Sequence, residues 1–232
     1  MSQESAFNKR LAPETTMDKI EGILEHFNLP PNVIAFIRRN KKAIIAIICV
    51  AVICVVSWSL YNSYQKKLKE KSSSALSLAL SSADSARSAA LGKVIADYAG
   101  TSAALWAEVE LAHTDMKNKD YTDAAQKYSA ITDEVDRDNP LYGLALYGHA
   151  QALEAMKSYS EATARYEMLQ EITGYKLIAY LGKGRVEEEQ GNLEQAIAIY
   201  NNFLLDVGDD PEFSQAKTEI ETRMAHVKAM EK

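Results

Sequence analysis

Apolar residues along the chain form one uninterrupted run and, beyond it, short segments with helical spacing. The run covers residues 43–61, AIIAIICVAVICVVSWSLY, and holds no charged side chain. As an α-helix it would measure roughly 28 Å, which matches the hydrocarbon core of a bilayer. A buried core helix is the alternative, but such a helix carries a polar stripe that this run lacks. The pattern predicts one transmembrane helix.

Aromatic and basic residues flank this run. Trp58, Tyr61 and Tyr64 are typical of an interfacial aromatic belt at its end. Four cations adjoin each side, so the positive-inside rule does not decide the orientation. The N-terminal four lie closer to the run, which favours a cytoplasmic N-terminus. They are Arg38, Arg39, Lys41 and Lys42, and the opposite set is Lys66, Lys67, Lys69 and Lys71.

The segment before the run, from Met1 to Lys42, is too long for the leader of a cleaved signal peptide, so we expect the anchor to be retained. Within it, apolar residues at helical spacing between Ile20 and Phe27 predict a short amphipathic helix that stops at Pro30. Asn32 is placed to cap a second helix running into the anchor. Two interpretations stay open: a partner-docking or membrane-surface helix, or a juxtamembrane helix with no specific contact. Acids beside the apolar face of the first helix argue against membrane-surface binding.

An internal repeat dominates the rest of the chain. Segments starting at Lys119, Lys157 and Gly191 align without gaps, and the first spacing is four positions longer than the second. One column of the alignment holds alanine and a later one holds tyrosine. The aligned residues are Tyr121, Tyr159 and Leu193; Ala124, Ala162 and Ala196; and Tyr128, Tyr166 and Tyr200.

This frame resembles the tetratricopeptide repeat, a helix–turn–helix unit with a period of roughly 34 residues. Small residues at Ala112, Ala150 and Gly184 occupy the middle of each first helix, as the motif requires. The motif's tryptophan is out of register, because Trp106 is displaced. We expect the four extra residues before the second repeat to lie in the turn at 136–139.

These patterns predict an all-α chain, with one transmembrane helix followed by a tetratricopeptide-like array, an α-solenoid. Residues 1–42 form a cytoplasmic N-terminal tail and residues 43–61 the transmembrane helix. Residues 62–104 form a helical connector with a degenerate first repeat, and the serines in it do not interrupt the helix. Residues 105–210 hold three repeats, and residues 211–232 form a capping helix, which an open array end requires.

Composition and motifs argue against nucleic-acid binding, metal binding and catalysis. The net charge is −6 and no basic patch is interleaved with aromatics, which argues against nucleic-acid binding. Cys49 and Cys54 both lie in the apolar run, roughly 140° apart on a helix. We interpret them as ordinary apolar residues of that helix. The four histidines have no metal-ligand spacing, and no phosphate loop or catalytic motif occurs. We therefore expect no enzyme activity, no metal and no cofactor.

A repeat array instead offers a concave groove lined by its first helices. In the tetratricopeptide frame, the predicted protein-binding residues are His113, Tyr147, Gln151, Glu154, Arg185 and Glu188. Their mixed character suits weak binding of extended or partly folded segments. Ordinary solvent-facing helix surface is the alternative. The Lys and Asn pattern with which some family members clamp a carboxylate is missing.

A single N-terminal anchor followed by a small repeat domain resembles the bacterial YfgM-like family, ancillary subunits of the SecYEG translocon. The features that carry the resemblance are WSLYNSYQ at the end of the anchor, SARSAALGKVIADYAGTSAALWAEVELA before the array, and the repeats. It implies an inner-membrane protein with a periplasmic domain that receives translocated clients or recruits chaperones. Two alternatives remain: a scaffold of another envelope assembly, such as cell division or a pilus, and a regulatory subunit of a membrane enzyme.

Overall fold

The computed structural model describes residues 31–230, and within that range the chain is helical without strands. The amphipathic helix expected between Ile20 and Phe27 lies outside the described residues. The elements in chain order are α1 Pro31–Arg39, α2 Lys41–Leu80, α3 Asp84–Asp97, α4 Ser102–Asn118, α5 Tyr121–Glu134, α6 Pro140–Ala155, α7 Tyr159–Gln170, α8 Lys176–Glu189, α9 Leu193–Val207, a 3-10 helix Pro211–Phe213, and α10 Ser214–Met230.

Contacts divide the chain into two units, Met1–Gln65 and Lys66–Lys232. In the described part of the first unit, α1 begins at Pro31 and gives way at Asn40 to α2, which contains the apolar run. α2 is long and apolar enough to cross a membrane, and 0% of its most apolar stretch is buried against the rest of the protein. The predicted apolar helix is therefore confirmed as a helix, while its insertion in a bilayer stays a prediction.

The second unit begins within α2. The serine-rich stretch is helical, as predicted, and Ser72 is buried with its hydroxyl donating to the carbonyl of Lys69 at 3.1 Å. Near the end of α2, Ala79 joins Leu91 of α3 and Ala107 of α4 in a small hydrophobic cluster. The segment before the array therefore packs as helices on α4 rather than as a loose linker.

Three helix pairs follow, namely α4 with α5, α6 with α7, and α8 with α9, and each helix packs on the next one. The alanine column and the tyrosine column of the sequence both lie in the core. All six side chains, those of Ala124, Ala162, Ala196, Tyr128, Tyr166 and Tyr200, are at most 1% exposed. The predicted repeat frame is confirmed, because the columns are the buried positions of the second helices.

The turn inside each repeat uses the same backbone conformation. Lys119, Lys157 and Gly191 have φ of 69°, 61° and 79°, in the left-handed region that glycine tolerates best. These are the positions at which the three aligned segments of the sequence begin. A left-handed residue ends the first helix and redirects the chain into the second.

The four extra residues do not lie in the turn, and that expectation is wrong. The turns 135–139 and 171–175 have the same length. Instead, α5 has 14 residues against 12 in α7, and α6 has 16 against 14 in α8. Adding them to helices keeps their backbone N–H and C=O groups hydrogen-bonded, which a longer loop would not.

α10 packs on the last helix pair, in the region predicted to form a cap. Ile220 and Val227 are fully buried against the last pair, and between them the helix carries mostly exposed polar side chains. At the same end Phe203 makes edge-to-face contacts with Tyr180 and Phe213, with ring centroids 5.4 and 6.3 Å apart. The displaced Trp106 is 41% exposed and so does not replace the motif's tryptophan in the core.

Candidate protein-binding groove

The predicted groove residues all lie on the first helices of the repeats. His113 is on α4, Tyr147, Gln151 and Glu154 are on α6, and Arg185 and Glu188 are on α8. First helices of neighbouring repeats contact one another, from α4 to α6, from α6 to α8 and from α8 to α10. These residues therefore belong to one continuous row of helices.

Tyrosine and glycine set the spacing of this row. The ring of Tyr128 in α5 lies on Gly148 of α6, where an added Cβ would be 2.5 Å from the ring. The ring of Tyr166 lies on Gly182 in the same way, across the next junction. Because only hydrogen occupies the glycine site, each tyrosine ring packs directly against the backbone of the neighbouring first helix. The sequence signal for this contact was the glycine in the first helices of the second and third repeats, Gly148 and Gly182, which the tyrosine column alone did not reveal.

A buried carboxylate joins the second repeat to the third. The Tyr166 hydroxyl donates to Glu154 Oε2 at 2.6 Å, and Arg185 Nη2 donates to the same oxygen at 2.8 Å. Arg185 Nε also donates to Glu154 Oε1, so the guanidinium grips the carboxylate with two hydrogen bonds. Arg185 Nη2 lies 3.0 Å from the Tyr166 hydroxyl as well. We call this Tyr–Glu–Arg group a latch.

The same latch recurs between the third repeat and α10. The Tyr200 hydroxyl donates to Glu188 Oε1 at 2.5 Å, and Arg223 donates to both oxygens of Glu188 at 3.0 and 2.5 Å. The side chains of Glu154 and Glu188 are 9% and 8% exposed. Arg223 thus stands where the arginine of a further repeat would stand, which makes α10 equivalent to a first helix.

The latches hold their groups in fixed protonation states. Burial and the hydrogen bond to Glu154 raise the pKa of the Tyr166 hydroxyl, and burial and Glu188 raise the pKa of Tyr200. The hydrogen bond to Glu154 raises the pKa of Arg185. The tyrosines therefore remain donors and Arg185 remains a cation throughout the physiological pH range.

The junction between the first and second repeats has no latch. Met116 precedes Tyr128 by the same number of residues as Glu154 precedes Tyr166. Gln151 lies one repeat before Arg185. Met116 and Gln151 therefore occupy the positions that the glutamate and the arginine hold in a latch. Gln151 Nε2 instead donates to the Tyr147 hydroxyl at 2.9 Å. This end of the row presents aromatic and neutral polar groups.

His113 belongs to the same end of the row. On α4, it packs edge-on against Tyr128 with ring centroids 5.9 Å apart. Tyr128 therefore contacts both Gly148 of α6 and the imidazole of His113 on α4.

Two open cavities border the row. One of about 870 Å³ lies between α8 and α10, against Leu181, Arg185, Arg223 and His226. A smaller one of about 330 Å³ lies against Met116, Gln151, Glu154 and Arg185. Arg185 lines both, so the latch separates the two openings.

The predicted residues therefore divide into two sets. Glu154, Arg185 and Glu188 are brought together with tyrosines and Arg223 in the latches, which the sequence analysis did not anticipate. His113, Tyr147 and Gln151 are partly or fully exposed on the first two repeats. Ligand binding by either set stays a prediction.

His149 is a buried polar group beside the row. It is 6% exposed, and its Nδ1 has no hydrogen-bond partner among the described residues. Burial, with Arg165 adding to it and Asp133 opposing it, lowers the pKa of this imidazole to about 4. His149 is therefore neutral at physiological pH. Across residues 31–230, no three His, Cys, Asp or Glu side chains group closely enough to hold a metal ion.

Stacked antiparallel helix pairs with a small-residue column and an aromatic column define a tetratricopeptide-like repeat protein. The chain belongs to the tetratricopeptide repeat-like domain family, whose profile matches residues 35–219. Folds of this kind typically serve as non-catalytic scaffolds for protein–protein interaction.

Two solved structures are similar to the chain at low sequence identity. A kinesin-light-chain-type protein of Podosopora anserina, built of nearly identical TPR-like repeats, has 16% identity and a TM-score of 0.53, over 68% of this chain and 86% of that one. The Yersinia enterocolitica type III secretion chaperone SycD, in complex with a peptide of the translocator YopD, has 17% identity and a TM-score of 0.45, over 57% of this chain and 98% of that one. No curated protein matches the sequence.

Proposed function

We propose that this chain is a membrane-anchored module that binds other proteins through its repeat array. One observation carries the proposal. The same chain contains a tetratricopeptide-like array and an apolar helix whose most hydrophobic stretch is 0% buried. An apolar surface of that length is unfavourable in water and is covered at little cost by a bilayer. Carbonate extraction of membranes tests the anchor. The full chain is expected in the membrane pellet, and release into the supernatant would contradict anchoring.

The proposed location is the bacterial inner membrane, with a cytoplasmic N-terminus and a periplasmic array. It is supported by the basic residues close to the start of the anchor and by the resemblance to the YfgM-like family. Protease protection in spheroplasts and inverted vesicles tests the orientation. The array is expected to be digested in spheroplasts and protected in inverted vesicles. The reverse pattern would refute the orientation.

The groove is proposed to hold extended or partly folded segments of protein. In the latches the charges of Arg185 and Arg223 are balanced by Glu154 and Glu188, so neither arginine is available to bind a terminal carboxylate. Tyr147 and Gln151 leave polar and aromatic surface suited to an extended backbone. Alanine at Arg185 would disturb the latch, so Tyr147 is the better position to test.

A photo-cross-linking amino acid at Tyr147 provides that test, with the same substitution at Gln126 as the control. Gln126 is exposed on the second helix of the first repeat, away from the row of first helices. Cross-links to a translocating client or to a periplasmic chaperone are expected from position 147 and not from 126. Equal yields from both positions would contradict a groove-specific contact.

The partners are proposed to be the SecYEG translocon and periplasmic chaperones or translocated clients. Purification of the full chain in mild detergent, followed by mass spectrometry, tests this. Recovery of translocon subunits is expected. A stoichiometric enzyme or a cell-division or pilus assembly in their place would favour the alternative of a regulatory subunit or a scaffold.

A further inference from the structure

α1 is a short amphipathic helix with an exposed apolar face. Val33, Phe36 and Ile37 fall on one side at helical spacing, and Phe36 is 63% exposed and Val33 40% exposed. An exposed phenylalanine beside an exposed valine is a costly arrangement in water, because both lose the benefit of burial. The face requires a covering surface.

The charged residues around α1 are all basic. The sequence holds no Asp or Glu between Glu25 and Glu70, although the whole chain has a net charge of −6. Arg39, Lys41 and Lys42 follow the apolar face directly, and Arg39 and Lys42 are exposed. Anionic groups are the complement of such a segment, because basic side chains close to an anionic membrane surface are attracted to it.

The position of α1 in the chain puts a bilayer within reach. α1 ends at Arg39, and the apolar run proposed to cross the membrane starts shortly after it, at Ala43. Asn40 separates the two helices as a turn, with its side-chain amide donating to the carbonyl of Phe36 at 3.1 Å. The backbone N–H of Asn40 donates to the carbonyl of Phe36 and that of Ile44 donates to the carbonyl of Asn40, both at 3.0 Å, so a position of α1 in the plane of the membrane requires a bend at Asn40.

We propose that α1 lies in the headgroup layer of an anionic membrane, with Phe36 in the acyl boundary and Arg39, Lys41 and Lys42 at lipid phosphates. The proposal rests on the membrane anchor proposed above. An amphipathic helix binds in this way when apolar area and basic charge act together. Long basic side chains reach the phosphates while their methylene stems stay on apolar surface.

The test uses the full chain in lipid nanodiscs, with Cys49→Ala and Cys54→Ala so that single cysteines can be labelled. An environment-sensitive fluorophore is attached to Phe36→Cys or, as the matched control, to Ala35→Cys. Ala35 is exposed and lies about 100° away around the same helix. With phosphatidylglycerol as a quarter of the lipid, quenching by aqueous iodide is expected to be several-fold weaker at position 36 than at 35.

Two comparisons then test the role of charge. Protection at position 36 should disappear in pure phosphatidylcholine and in the variant Arg39→Gln, Lys41→Gln, Lys42→Gln. The control Lys66→Gln, Lys67→Gln, Lys69→Gln removes the same charge beyond the other end of the apolar run and should keep the protection.

Several results would overturn the proposal. Equal quenching at 35 and 36 in chains that resist carbonate extraction refutes the surface helix and leaves the anchor intact. Protection that is unchanged in pure phosphatidylcholine, whose headgroup has a phosphate but no net charge, refutes the requirement for anionic lipid. Extraction of the chain by carbonate refutes the anchor itself.

Discussion

Glu154 and Arg185 join the second and third repeats through a carboxylate that a guanidinium grips by both oxygens. The buried end of this pair is the glutamate, and the Tyr166 hydroxyl completes it. A buried charge is costly unless it is paired, so the pair specifies which helix faces which.

At the first junction of the array, Met116 and Gln151 stand at the positions of the glutamate and the arginine of a latch, and they suggest substitutions for the second junction. Glu154→Met should lower the free energy of unfolding by about 2–4 kcal/mol, because it removes the carboxylate that balances Arg185. The double variant Glu154→Met, Arg185→Gln copies Met116 and Gln151 and should recover a large part of that loss. Urea unfolding of the full chain in mild detergent, followed by circular dichroism, measures both.

A double-mutant cycle gives the coupling directly. The coupling energy between positions 154 and 185 is expected to be about 1–3 kcal/mol. Additive effects of the two single substitutions would mean that the latch does not stabilise the junction.

Gly148 is expected to be intolerant of a methyl group. Gly148→Ala brings a Cβ to 2.5 Å from the ring of Tyr128, which is itself 1% exposed and so is confined. Overpacking of this kind should cost about 1–3 kcal/mol of unfolding free energy. Gly92→Ala is the matched control in α3, where nothing lies within 4 Å of the added methyl. That variant should be stabilised by up to about 1 kcal/mol, since alanine favours a helix.

The left-handed turn residues predict a stabilising substitution. Lys157→Gly should raise the free energy of unfolding by about 0.5–1 kcal/mol, because φ of 61° strains a residue with a Cβ. Lys117→Gly, on an exposed position near the end of α4, serves as the control and should be destabilising. Thermal unfolding of both variants provides the comparison, and a loss of stability in Lys157→Gly would contradict the prediction.

Protonation of His149 should weaken the fold at low pH. Its pKa is about 4 in the folded chain against 6.5 for the ordinary group, so the unfolded chain binds the proton more tightly. Stability is therefore complete above pH 6.5 and falls as the pH drops towards 4, by about 3 kcal/mol in total. Arg165 faces the imidazole and adds to the effect, while Asp133 opposes it.

His149→Phe should flatten this part of the pH profile. The exposed His226→Phe is the control and should leave the slope unchanged. Identical slopes in all three proteins, measured by urea unfolding across the acidic range, would rule out His149 as the cause.

Much of the fold followed from residue periodicity. The alanine and tyrosine columns and the apolar face of α10 reflect burial, which repeats with the helical turn and is therefore visible in the sequence. The apolar run was recognised by its length and its lack of charge. The insertion before the second repeat was placed wrongly, because sequence spacing does not distinguish a longer loop from longer helices. Hydrogen bonding of the backbone decides that, and it favoured the helices.

The latches could not be predicted in the same way. Glu154 and Glu188 were expected in the groove because their helical positions face the concave side. Their partners Arg185 and Arg223 lie a full repeat further along the chain, and only the angle between neighbouring helices brings the groups together. One sign was present in the sequence: glutamate and tyrosine keep the same spacing in the last two repeats, while Met116 breaks the pattern in the first.

Because only two of the three junctions have a latch, the array could lose some repeat units with a latch intact and others not. Loss of one repeat unit between Glu154 and Glu188 would set Glu154 opposite Arg223, and the shorter protein would keep a complete latch. Loss of the second repeat would instead set Met116 opposite Arg185 and leave a half-buried cation without its carboxylate. A complete latch therefore survives removal of one unit near the C-terminus and is lost on removal of the second repeat.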